Sequence, residues 1–570
     1  MITKCACFAA VLVLIFLQVY VYQVKFRKKH EVGYQESLRG IWKMNRTVSE
    51  SINLEDISRK LLIEYNKTWR YIITSCENSE ADNKYRQALE DGYLLLRFRI
   101  ERVLMLVSNS KNNSIELAAE NFITFWNLFS DIKHFWMQTM SVFRNIGLKE
   151  DDKETLGNKF WFLLEKIKEL IKASEIKRKK ILDDLSIKVT TKIQKLQNPR
   201  DCMDTRLLIC KLNTKLNCGF GCETHSLISC MMEALRSQRT LIYITEGWKY
   251  AKQGREYAFS PLNNCSTYSF SINPYITSEG NENATIIKKY SSEYKEWIGW
   301  SIPRQLSPTL QKYHAEPFLW WIGQLIKYAM ILQPWMEEDL NNIITRVGFS
   351  SPVVGIQIRR GDKLKDSGGF HEVDEYMFYA DQYFNYLKTM NKHIQPKVFL
   401  ATEDESALPE LTLRYPDYKF IVSNYVTEKV TKHMRYGDGG LEGIIFDILL
   451  LSRCDYIVCT LSSNVCRAAY EAMSANRVDA ATRIHSLDTG HRLKTLFDAP
   501  WRATANHTPI NTEEFQLHKG DKVKVSMSYR ESLKDGYVMA SNRATGEKGR
   551  IPAYKAREEL TLLNFSIFDL

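Results

Sequence analysis

The first part of this chain lacks proline. No proline precedes Pro199, whereas all 14 prolines of the 570 residues lie at or after that position. Because proline interrupts helices, its absence indicates long helices and a change of architecture near residue 199. Apolar residues recur every three or four positions, in the series Leu54, Ile57, Leu61, Tyr65, Trp69, Ile72 and in the series Phe160, Leu164, Ile167, Ile171. This pattern predicts amphipathic helices that pack either on their own chain or on a second copy, as a dimerising stalk.

A large excess of one charge and phosphate-binding loops are also missing. Lys and Arg number 78 against 67 Asp and Glu, and the net charge of +11 favours anionic partners without indicating nucleic acid. The cations form no broad stripe with interleaved aromatics, which argues against a nucleic-acid partner. Neither a P-loop nor a GxGxxG motif occurs, so kinases and dehydrogenases are excluded. A bound nucleotide therefore has to be held largely by side chains.

One long apolar run lies near the N-terminus. Residues 8 to 24 are uncharged and long enough to span a bilayer as a helix. No small-x-small cleavage site closes the run, so we expect an uncleaved anchor rather than a signal peptide. The cations after the run would place the C-terminal part in the cytosol by the positive-inside rule. Seven glycosylation sequons indicate the lumen instead, beginning at Asn45, Asn66, Asn112, Asn264, Asn283, Asn506 and Asn564.

Cysteines are concentrated in one segment, which holds Cys202, Cys210, Cys218, Cys222, Cys230 and Cys265, and a later close pair consists of Cys459 and Cys466. Such crowding favours disulfides and an oxidising lumen. Zinc is the alternative for the cluster, but the short pair at 218 and 222 has no second short cysteine or histidine pair at finger spacing.

Beyond Cys265 the sequence alternates short apolar runs with helical stretches. Strands are predicted at 239 to 245, 353 to 358, 397 to 402, 418 to 423 and 455 to 460, and helices at 316 to 346 and 438 to 452. This alternation predicts an α/β fold with a parallel sheet, whose ligand binds at the carboxyl ends of the strands. From about residue 511, short alternating runs with glycines at turns predict a small β-barrel.

Three cations follow the predicted strand at 353 to 358. Arg359, Arg360 and Lys363 would sit where an open α/β sheet receives its ligand, and their forked donors suit paired phosphates. The plain alternative is a solvated basic strand end. Asp447 could accept hydrogen bonds from guanine or ribose, or be a surface residue. The last candidates lie where a helix start offers free N–H groups to phosphate, and they are Ser462, Ser463 and Asn464.

Several motifs together resemble the α1,6-fucosyltransferase family, which adds core fucose to N-glycans. The most specific are GIQIRRGDK, which ends at Lys363, and FHEVDEYM at 370 to 377. Further motifs follow in the family order across residues 200 to 490: RDC (200 to 202), CGFGC (218 to 222), QRTL (238 to 241), WW (320 to 321), QPW (333 to 335), LATED (400 to 404), FDI (446 to 448), VCTLSSNVCR (458 to 467) and HSLD (485 to 488).

The resemblance implies an α/β, GT-B-like glycosyltransferase that is a single-pass type II protein of the Golgi membrane with a lumenal catalytic part. It also implies a homodimer formed through the helical stem. The expected regions are a cytoplasmic tail, anchor and basic flank at 1–30, a helical stem at 31–199, a disulfide-rich first catalytic part at 200–352, a Rossmann-like GDP-fucose-binding domain at 353–510, and an SH3-like β-barrel at 511–570.

The implied reaction transfers L-fucose from GDP-fucose to the 6-hydroxyl of the innermost N-acetylglucosamine of an N-glycoprotein, with inversion and without a metal or other cofactor. Catalysis is assigned to Arg359, Asp362 and Lys363, with the lysine assisting the leaving group. Expected donor contacts are Gln357, Arg359, Arg360, Asp447, Ser463, Asn464 and Phe220, and expected acceptor contacts are Glu403, Asp404 and Asp488. The implied disulfides pair Cys202 with Cys265, Cys210 with Cys230, Cys218 with Cys222, and Cys459 with Cys466.

The match departs from the family at the position of the catalytic base. The family has a glutamate where this chain has Ser367, and a serine is no base at neutral pH. Asp366 is adjacent and is the substitute that we expect. Gln357, Phe220 and Glu403 stand where the family has His, Tyr and Asp, and the stretch after HSLD is altered as well. Two alternatives therefore remain, a fucosyltransferase for another acceptor and a transfer-deficient Golgi protein that binds glycans or acts as a scaffold.

Overall fold

The computed structural model describes residues 53–77, 83–109, 114–145, 147, 149–215, 219–265, 276–277, 285–291, 301–360, 370–391, 393–423, 438–491, 499–525 and 535–569. The predicted anchor lies outside these ranges. None of the helices within them is long and apolar enough to cross a membrane. The described residues from Leu54 onward form one structural unit.

The described residues of the proline-free part form six helices: α1 (Leu54–Glu77), α2 (Asn83–Ser108), α3 (Ser114–Glu120), α4 (Phe122–Asn145), α5 (Glu150–Lys172) and α6 (Glu175–Gln197). The predicted amphipathic helices are confirmed in α1 and α5, whose apolar stripes are buried. Tyr93 of α2 stacks on Trp69 of α1 at a ring distance of 4.4 Å. Regular spacing of apolar residues thus produces the interior of a helical bundle.

The bundle also packs on the α/β part of its own chain. Trp161 of α5 is buried, and its ring contacts Tyr456 at 5.1 Å and Tyr383 at 6.4 Å, both edge to face. A single hydrophobic cluster joins Trp161 and Phe160 to Ile356. Of the two arrangements expected for the helices, packing on their own chain is therefore present for α5.

The first parallel sheet follows the bundle. Its elements in chain order are β1 (Leu207–Lys211), α7 (Phe220–Arg236), β2 (Thr240–Ile244), β3 (Ile276–Thr277) and β4 (Ile286–Tyr290). The strand order is β2-β1-β4-β3, and all pairs are parallel. The disulfides Cys202–Cys265 and Cys210–Cys230 are confirmed here, the second one joining β1 to α7. Cys218 lies outside the described residues.

A connecting segment leads to the second sheet and consists of β5 (Ser301–Pro303), α8 (Ser307–Tyr313), α9 (Pro317–Ala329) and α10 (Pro334–Val347). The helical stretch predicted at 316 to 346 is thus two helices. Pro334 starts the second one, because proline fits the first turn of a helix but not its interior.

The second sheet is parallel throughout and contains the predicted cation cluster. Its elements are β6 (Val354–Ile358), α11 (Val373–Met390), β7 (Lys397–Thr402), α12 (Ala407–Arg414), β8 (Lys419–Ile421), α13 (Asp438–Arg453), β9 (Tyr456–Cys459), α14 (Asn464–Asn476) and β10 (Ile484–Ser486). The strand order is β10-β9-β6-β7-β8, which confirms the predicted parallel α/β pattern. The chain runs outward from β6 on one side and then crosses to β9. The point between β6 and β9 is where ligands bind in sheets of this kind.

A third sheet is antiparallel and lies at the C-terminus. It contains β11 (Ala499–Ala503), β12 (Lys522–Val525), β13 (Tyr537–Asn542), β14 (Lys548–Pro552) and β15 (Ala556–Glu558) in the order β14-β13-β12-β11-β15. A last strand, β16 (Thr561–Leu563), pairs with β5. The buried carboxylate of Asp131 in α4 forms ion pairs with Arg99 of α2 and Arg557 of β15, which ties this sheet to the bundle.

Candidate functional site

Two strand ends of the second sheet bring the predicted donor residues to one edge. Arg359 and Arg360 follow the last residue of β6, and Ser463 precedes α14 just after β9. Because β6 and β9 are neighbouring parallel strands, their carboxyl ends open on the same crevice. The sequence-based placement of these residues at a ligand-binding edge is consistent with this topology.

Carboxylates from the next strand pair with both arginines. Ile358 lies opposite Thr402 in the register of β6 and β7, so the residues that follow each strand are neighbours. Arg359 forms an ion pair with Glu403, and Arg360 Nη1 donates to Asp404 Oδ2 at 3.2 Å. Glu403 and Asp404, which were expected to contact the acceptor, thus face the arginines in this structure.

Arg360 is held on three sides. Besides Asp404, its Nη1 donates to Glu410 Oε2 of α12 at 3.1 Å, and the ring of Phe370 lies 4.5 Å from the guanidinium carbon. The side chain is 10% exposed, and its Nε and Nη2 are buried without a hydrogen-bond partner among the described residues. Burial opposes the charge of Asp404, but hydrogen bonds from Ser406 and the pairing with Arg360 lower the pKa of that carboxyl.

Sequence reasoning missed Glu410 and Phe370 as partners of Arg360. Phe370 belongs to a recognised motif, so its proximity to the arginines could have been suspected. Glu410 lies on a helix after β7, and no sequence pattern indicates that its carboxylate reaches back to the end of β6.

Gln357 lies on β6 and Asp447 on α13, two elements that pack against each other. Gly355 of β6 faces this helix, since a Cβ there would lie 2.9 Å from Leu451 Cδ2. Gln357 is two residues on and points to the same face, and its Oε1 is buried without a hydrogen-bond partner among the described residues. Asp447 accepts a hydrogen bond from Ser423 Oγ at 3.2 Å, and burial raises the pKa of its carboxyl to about 7.

The turn between β9 and α14 is braced from two directions. The disulfide Cys459–Cys466 is confirmed and encloses the turn. Ser462 N–H points at the carboxylate of Asp488, at 3.3 Å from Oδ2, and Thr489 N donates to Asp488 Oδ1 at 2.6 Å. Asp488 is 2% exposed, so its described contacts hold the turn, and its expected contact with the acceptor stays a prediction.

Phe220, from the first parallel sheet, joins this turn. It is the first residue of α7, and its N–H donates to Tyr250 Oη at 2.9 Å. A Cβ on the next residue, Gly221, would lie 2.7 Å from the backbone carbonyl carbon of Asn464, so only glycine fits. The starts of α7 and α14 are therefore in contact through Gly221 and Asn464. The assignment of Phe220 and Asn464 to one donor site stays a prediction.

Four predicted residues of the loop after Arg360 lie outside the described ranges: Asp362, Lys363, Asp366 and Ser367. Their expected roles stay predictions. Within the described ranges, no group of three His, Cys, Asp or Glu side chains is arranged to hold a metal ion.

A family model matches most of the chain. Residues 1–489 match the model described as "Alpha-(1,6)-fucosyltransferase N- and catalytic domains". The match includes the bundle, both parallel sheets and the turn at α14.

Two characterised relatives carry the same description. The chain is 34% identical over 394 residues to an alpha-(1,6)-fucosyltransferase of Drosophila melanogaster, covering 69% of this chain and 63% of the fly protein. It is 30% identical over 402 residues to an alpha-(1,6)-fucosyltransferase of Caenorhabditis elegans, covering 68% of this chain and 70% of the nematode protein. The match thus spans less than two thirds of the fly relative.

A comparison with solved structures finds fucosyltransferase NodZ from Bradyrhizobium, which is 16% identical to this chain. The match covers 47% of this chain and 92% of the NodZ chain, and its TM-score of 0.30 is too low to establish a shared fold.

Proposed function

This chain belongs to the alpha-(1,6)-fucosyltransferase family, and we propose that it is a glycosyltransferase that adds core fucose to N-glycans. The proposed reaction transfers L-fucose from GDP-fucose to the 6-hydroxyl of the innermost N-acetylglucosamine, with inversion at the anomeric carbon. Two relatives at 34% and 30% identity that are named for this linkage support the proposal.

The observation that carries the proposal is the hydrogen bonding and burial of the Arg360 guanidinium. Two carboxylates anchor its Nη1, while Nε and Nη2 are buried and have no partner among the described residues. Nε and Nη2 form one edge of the guanidinium, the edge that binds two phosphate oxygens side by side. A buried guanidinium edge at the carboxyl end of a parallel strand suits the diphosphate of a nucleotide sugar.

The other residues of the proposed donor site come from β6, α13, the turn before α14 and the start of α7. Asp447 and Gln357 would recognise the guanosine, since a buried carboxylate and amide offer acceptors to guanine or ribose. Ser463 and Asn464 would supply N–H groups at the start of α14 to a phosphate, and Phe220 would pack against the nucleotide from α7.

The chemistry requires a good leaving group and a base. The acceptor oxygen forms a bond to the anomeric carbon of fucose, while the bond from that carbon to the β-phosphate oxygen breaks and its electrons stay on GDP. Arg359, Arg360 and Lys363 would neutralise the charge that grows on the diphosphate, without a metal. Asp366 would accept the proton of the 6-hydroxyl, and Asp362 lies in the same loop.

The contacts of three acidic residues suggest roles different from acceptor binding. Glu403 and Asp404 pair with Arg359 and Arg360, so we assign them to holding the arginines. Asp488 is buried under the turn before α14 and would hold that turn. Carboxylates that fix the direction of a guanidinium reduce the entropy lost when the diphosphate binds.

We also propose the family layout and location for this chain. The layout comprises a GT-B-like pair of domains, a helical stem and an SH3-like C-terminal barrel, and the location is the Golgi membrane, as a type II protein with the catalytic part in the lumen. Two separate parallel sheets and a five-stranded antiparallel sheet support the layout. Three disulfides support an oxidising compartment such as the Golgi lumen.

A homodimer through the stem is the last part of the proposal. Leu94, Phe98 and Met105 of α2 are 55%, 58% and 55% exposed, although they are large and apolar. Their spacing of four and seven residues puts them on one face of the helix. An exposed apolar stripe on a helix suits the matching stripe of a second copy.

The decisive experiment uses the lumenal part from residue 31 onward with GDP-fucose and a biantennary N-glycan that exposes terminal N-acetylglucosamine, without added metal. We expect one fucose on the innermost N-acetylglucosamine in a 1,6-linkage, read by mass spectrometry of the product. Arg360→Ala is the control and should abolish the product. Fucose transferred only to other acceptors would favour the alternative substrate, and binding of GDP-fucose without any transfer would favour the scaffold alternative.

A further inference from the structure

A buried carboxylate connects the three segments of the candidate site. Glu471 lies on α14, seven residues after Asn464, and is 2% exposed. Its Oε2 is 2.8 Å from Nε2 of His225 on α7, and its Oε1 is 2.9 Å from Nε2 of His491, which follows β10. One side chain therefore links α7 of the first parallel sheet, α14 of the second and the segment that follows β10.

Each of the three segments also carries a residue that belongs to the proposed donor site or supports it. Phe220 begins α7, five residues before His225, and Asn464 begins α14. Asp488, which supports the turn before α14, lies three residues before His491. The hydrogen bond between Glu471 and His225 thus joins the same two helices, α7 and α14, that are in contact at Gly221.

The bridge has a defined proton arrangement. A carboxylate only accepts hydrogen bonds, so both histidines present Nε2–H to Glu471. Burial by itself would raise the pKa of Glu471, but interaction with His225 and His491 lowers it to about 2. Rings hold His491 in place, with Tyr470 at 5.4 Å edge to face and Phe318 at 5.9 Å.

The surroundings of the two histidines and of α14 disfavour other proton positions and other positions of the helix. Nδ1 of both histidines is buried and has no hydrogen-bond partner in the described part of the chain, so moving either proton to Nδ1 would leave a buried donor without an acceptor. On the opposite side of α14, a Cβ at Gly323 of α9 would lie 2.8 Å from the carbonyl oxygen of Glu471. The helix is therefore closely packed from two sides.

From this geometry we propose that Glu471 is a positioning residue for the nucleoside diphosphate. By holding His225 and His491, its carboxylate sets the spacing between the start of α7, the start of α14 and the loop at Asp488. This inference rests on the proposed function, because it concerns the same donor site. Glu471 is too far along α14 to touch the ligand from the first turn and acts through the segments that it joins.

The test measures binding of GDP by isothermal titration calorimetry on the folded lumenal part. Glu471→Gln is expected to raise the Kd of GDP roughly tenfold, since coupling between joined segments is commonly of this size. The KM for GDP-fucose should rise in parallel, while kcat at saturating donor stays near that of the wild type. His225→Leu should have the same effect, and His225→Gln, which keeps a donor near the position of Nε2, should restore most of the affinity.

Asp131→Asn is the matched control. Like Glu471, Asp131 is a buried carboxylate that joins separate segments, but its partners are Arg99 and Arg557, and it connects the bundle to the C-terminal sheet. We expect its variant to lower the melting temperature and leave the Kd of GDP unchanged. Equal Kd values for Glu471→Gln and the wild type would overturn the inference, and so would equal weakening in Asp131→Asn, which would indicate a general loss of stability. If the wild type does not bind GDP at all, the proposed function itself fails.

If Glu471→Gln does not fold, the comparison of His225→Leu with His225→Gln decides the question. Loss of GDP affinity in the leucine variant together with recovery in the glutamine variant supports the inference. Equal affinity in both variants overturns it.

Discussion

Arg360 Nη1 and Glu410 Oε2 lie 3.1 Å apart, and this ion pair connects the candidate site to further charged residues of α12 and α11. Glu410 also accepts from Arg414 Nη1 at 3.1 Å, and Arg414 pairs with Asp374 at the start of α11. The arginine proposed to bind the diphosphate is thus anchored by a network that reaches two helices. A network of this kind fixes the direction of a guanidinium better than one carboxylate alone.

Removal of Glu410 should therefore weaken donor binding. In Glu410→Ala, Arg360 keeps Asp404 as its remaining carboxylate partner, and we expect the KM for GDP-fucose to rise roughly tenfold, in line with the loss of a hydrogen bond between charged groups. The matched control is Glu405→Ala, because Glu405 is an exposed carboxylate on the same segment. Steady-state kinetics at a fixed glycan concentration gives both values. An unchanged KM in Glu410→Ala would show that this anchor does not position Arg360.

Local sequence patterns predicted the strands around this site because buried parallel strands are short apolar runs. The runs at 353 to 358 and 397 to 402 became β6 and β7, and the arginines follow β6 where a ligand binds. The network behind Arg360 could not be predicted in this way. Glu410 is more than forty residues away in sequence, and only the register of β6 with β7 brings it near.

The bridge at Glu471 was inaccessible to sequence reasoning for a similar reason. His225, Glu471 and His491 belong to three separate segments, and 246 positions separate the first two. A histidine or a glutamate on an amphipathic helix gives no sign of being buried. Similarly, helical periodicity predicted α1 and α5 but not which side of α5 would cover the second sheet, since that depends on aromatic contacts such as Trp161 with Tyr456.

If Asp447 contacts the donor as proposed, donor binding should depend on pH. Burial raises the pKa of its carboxyl from 3.8 to about 7, so the folded protein holds this proton more tightly than the unfolded chain does. Its contribution to folding stability is therefore greatest below the unfolded value and is lost as the pH rises towards 7. A carboxylate that accepts hydrogen bonds from guanosine has to be ionised. Binding of GDP-fucose should then be roughly tenfold weaker at pH 6 than at pH 8.

Calorimetric titration of GDP-fucose between pH 6 and pH 8 tests this expectation. GDP-fucose is preferable to GDP because its diphosphate is esterified at both ends and has no proton to lose in this range. Asp447→Asn is the control, since the amide has the same shape and does not titrate. A wild-type affinity that is as flat with pH as that of Asp447→Asn would contradict the role of Asp447.

The exposed stripe on α2 predicts a dimer that charge can break. Phe98→Glu combined with Met105→Glu places two carboxylates in the apolar stripe, and burying them in an interface would cost more than the stripe contributes. We expect the wild type to sediment as a dimer and this variant as a monomer in analytical ultracentrifugation. Leu413→Glu is the matched control, because Leu413 is 83% exposed on α12 and lies outside the stripe. A wild type that sediments as a monomer, or a variant that stays dimeric, would argue against dimerisation through α2.

The proposed base, Asp366, leads to a reciprocal prediction. If Asp366 replaces the glutamate that is Ser367 here, Asp366→Ala should lower kcat by roughly 100-fold to 10,000-fold, the usual contribution of a general base. The Kd of GDP should not change, because the base acts on the acceptor hydroxyl. Adding Ser367→Glu to Asp366→Ala restores the family arrangement and should recover much of the lost turnover. Radiolabelled transfer to the biantennary glycan measures all three proteins. Full activity in Asp366→Ala would remove Asp366 from the mechanism, whereas a wild type that gains activity only through Ser367→Glu would identify a fucosyltransferase that has lost its base.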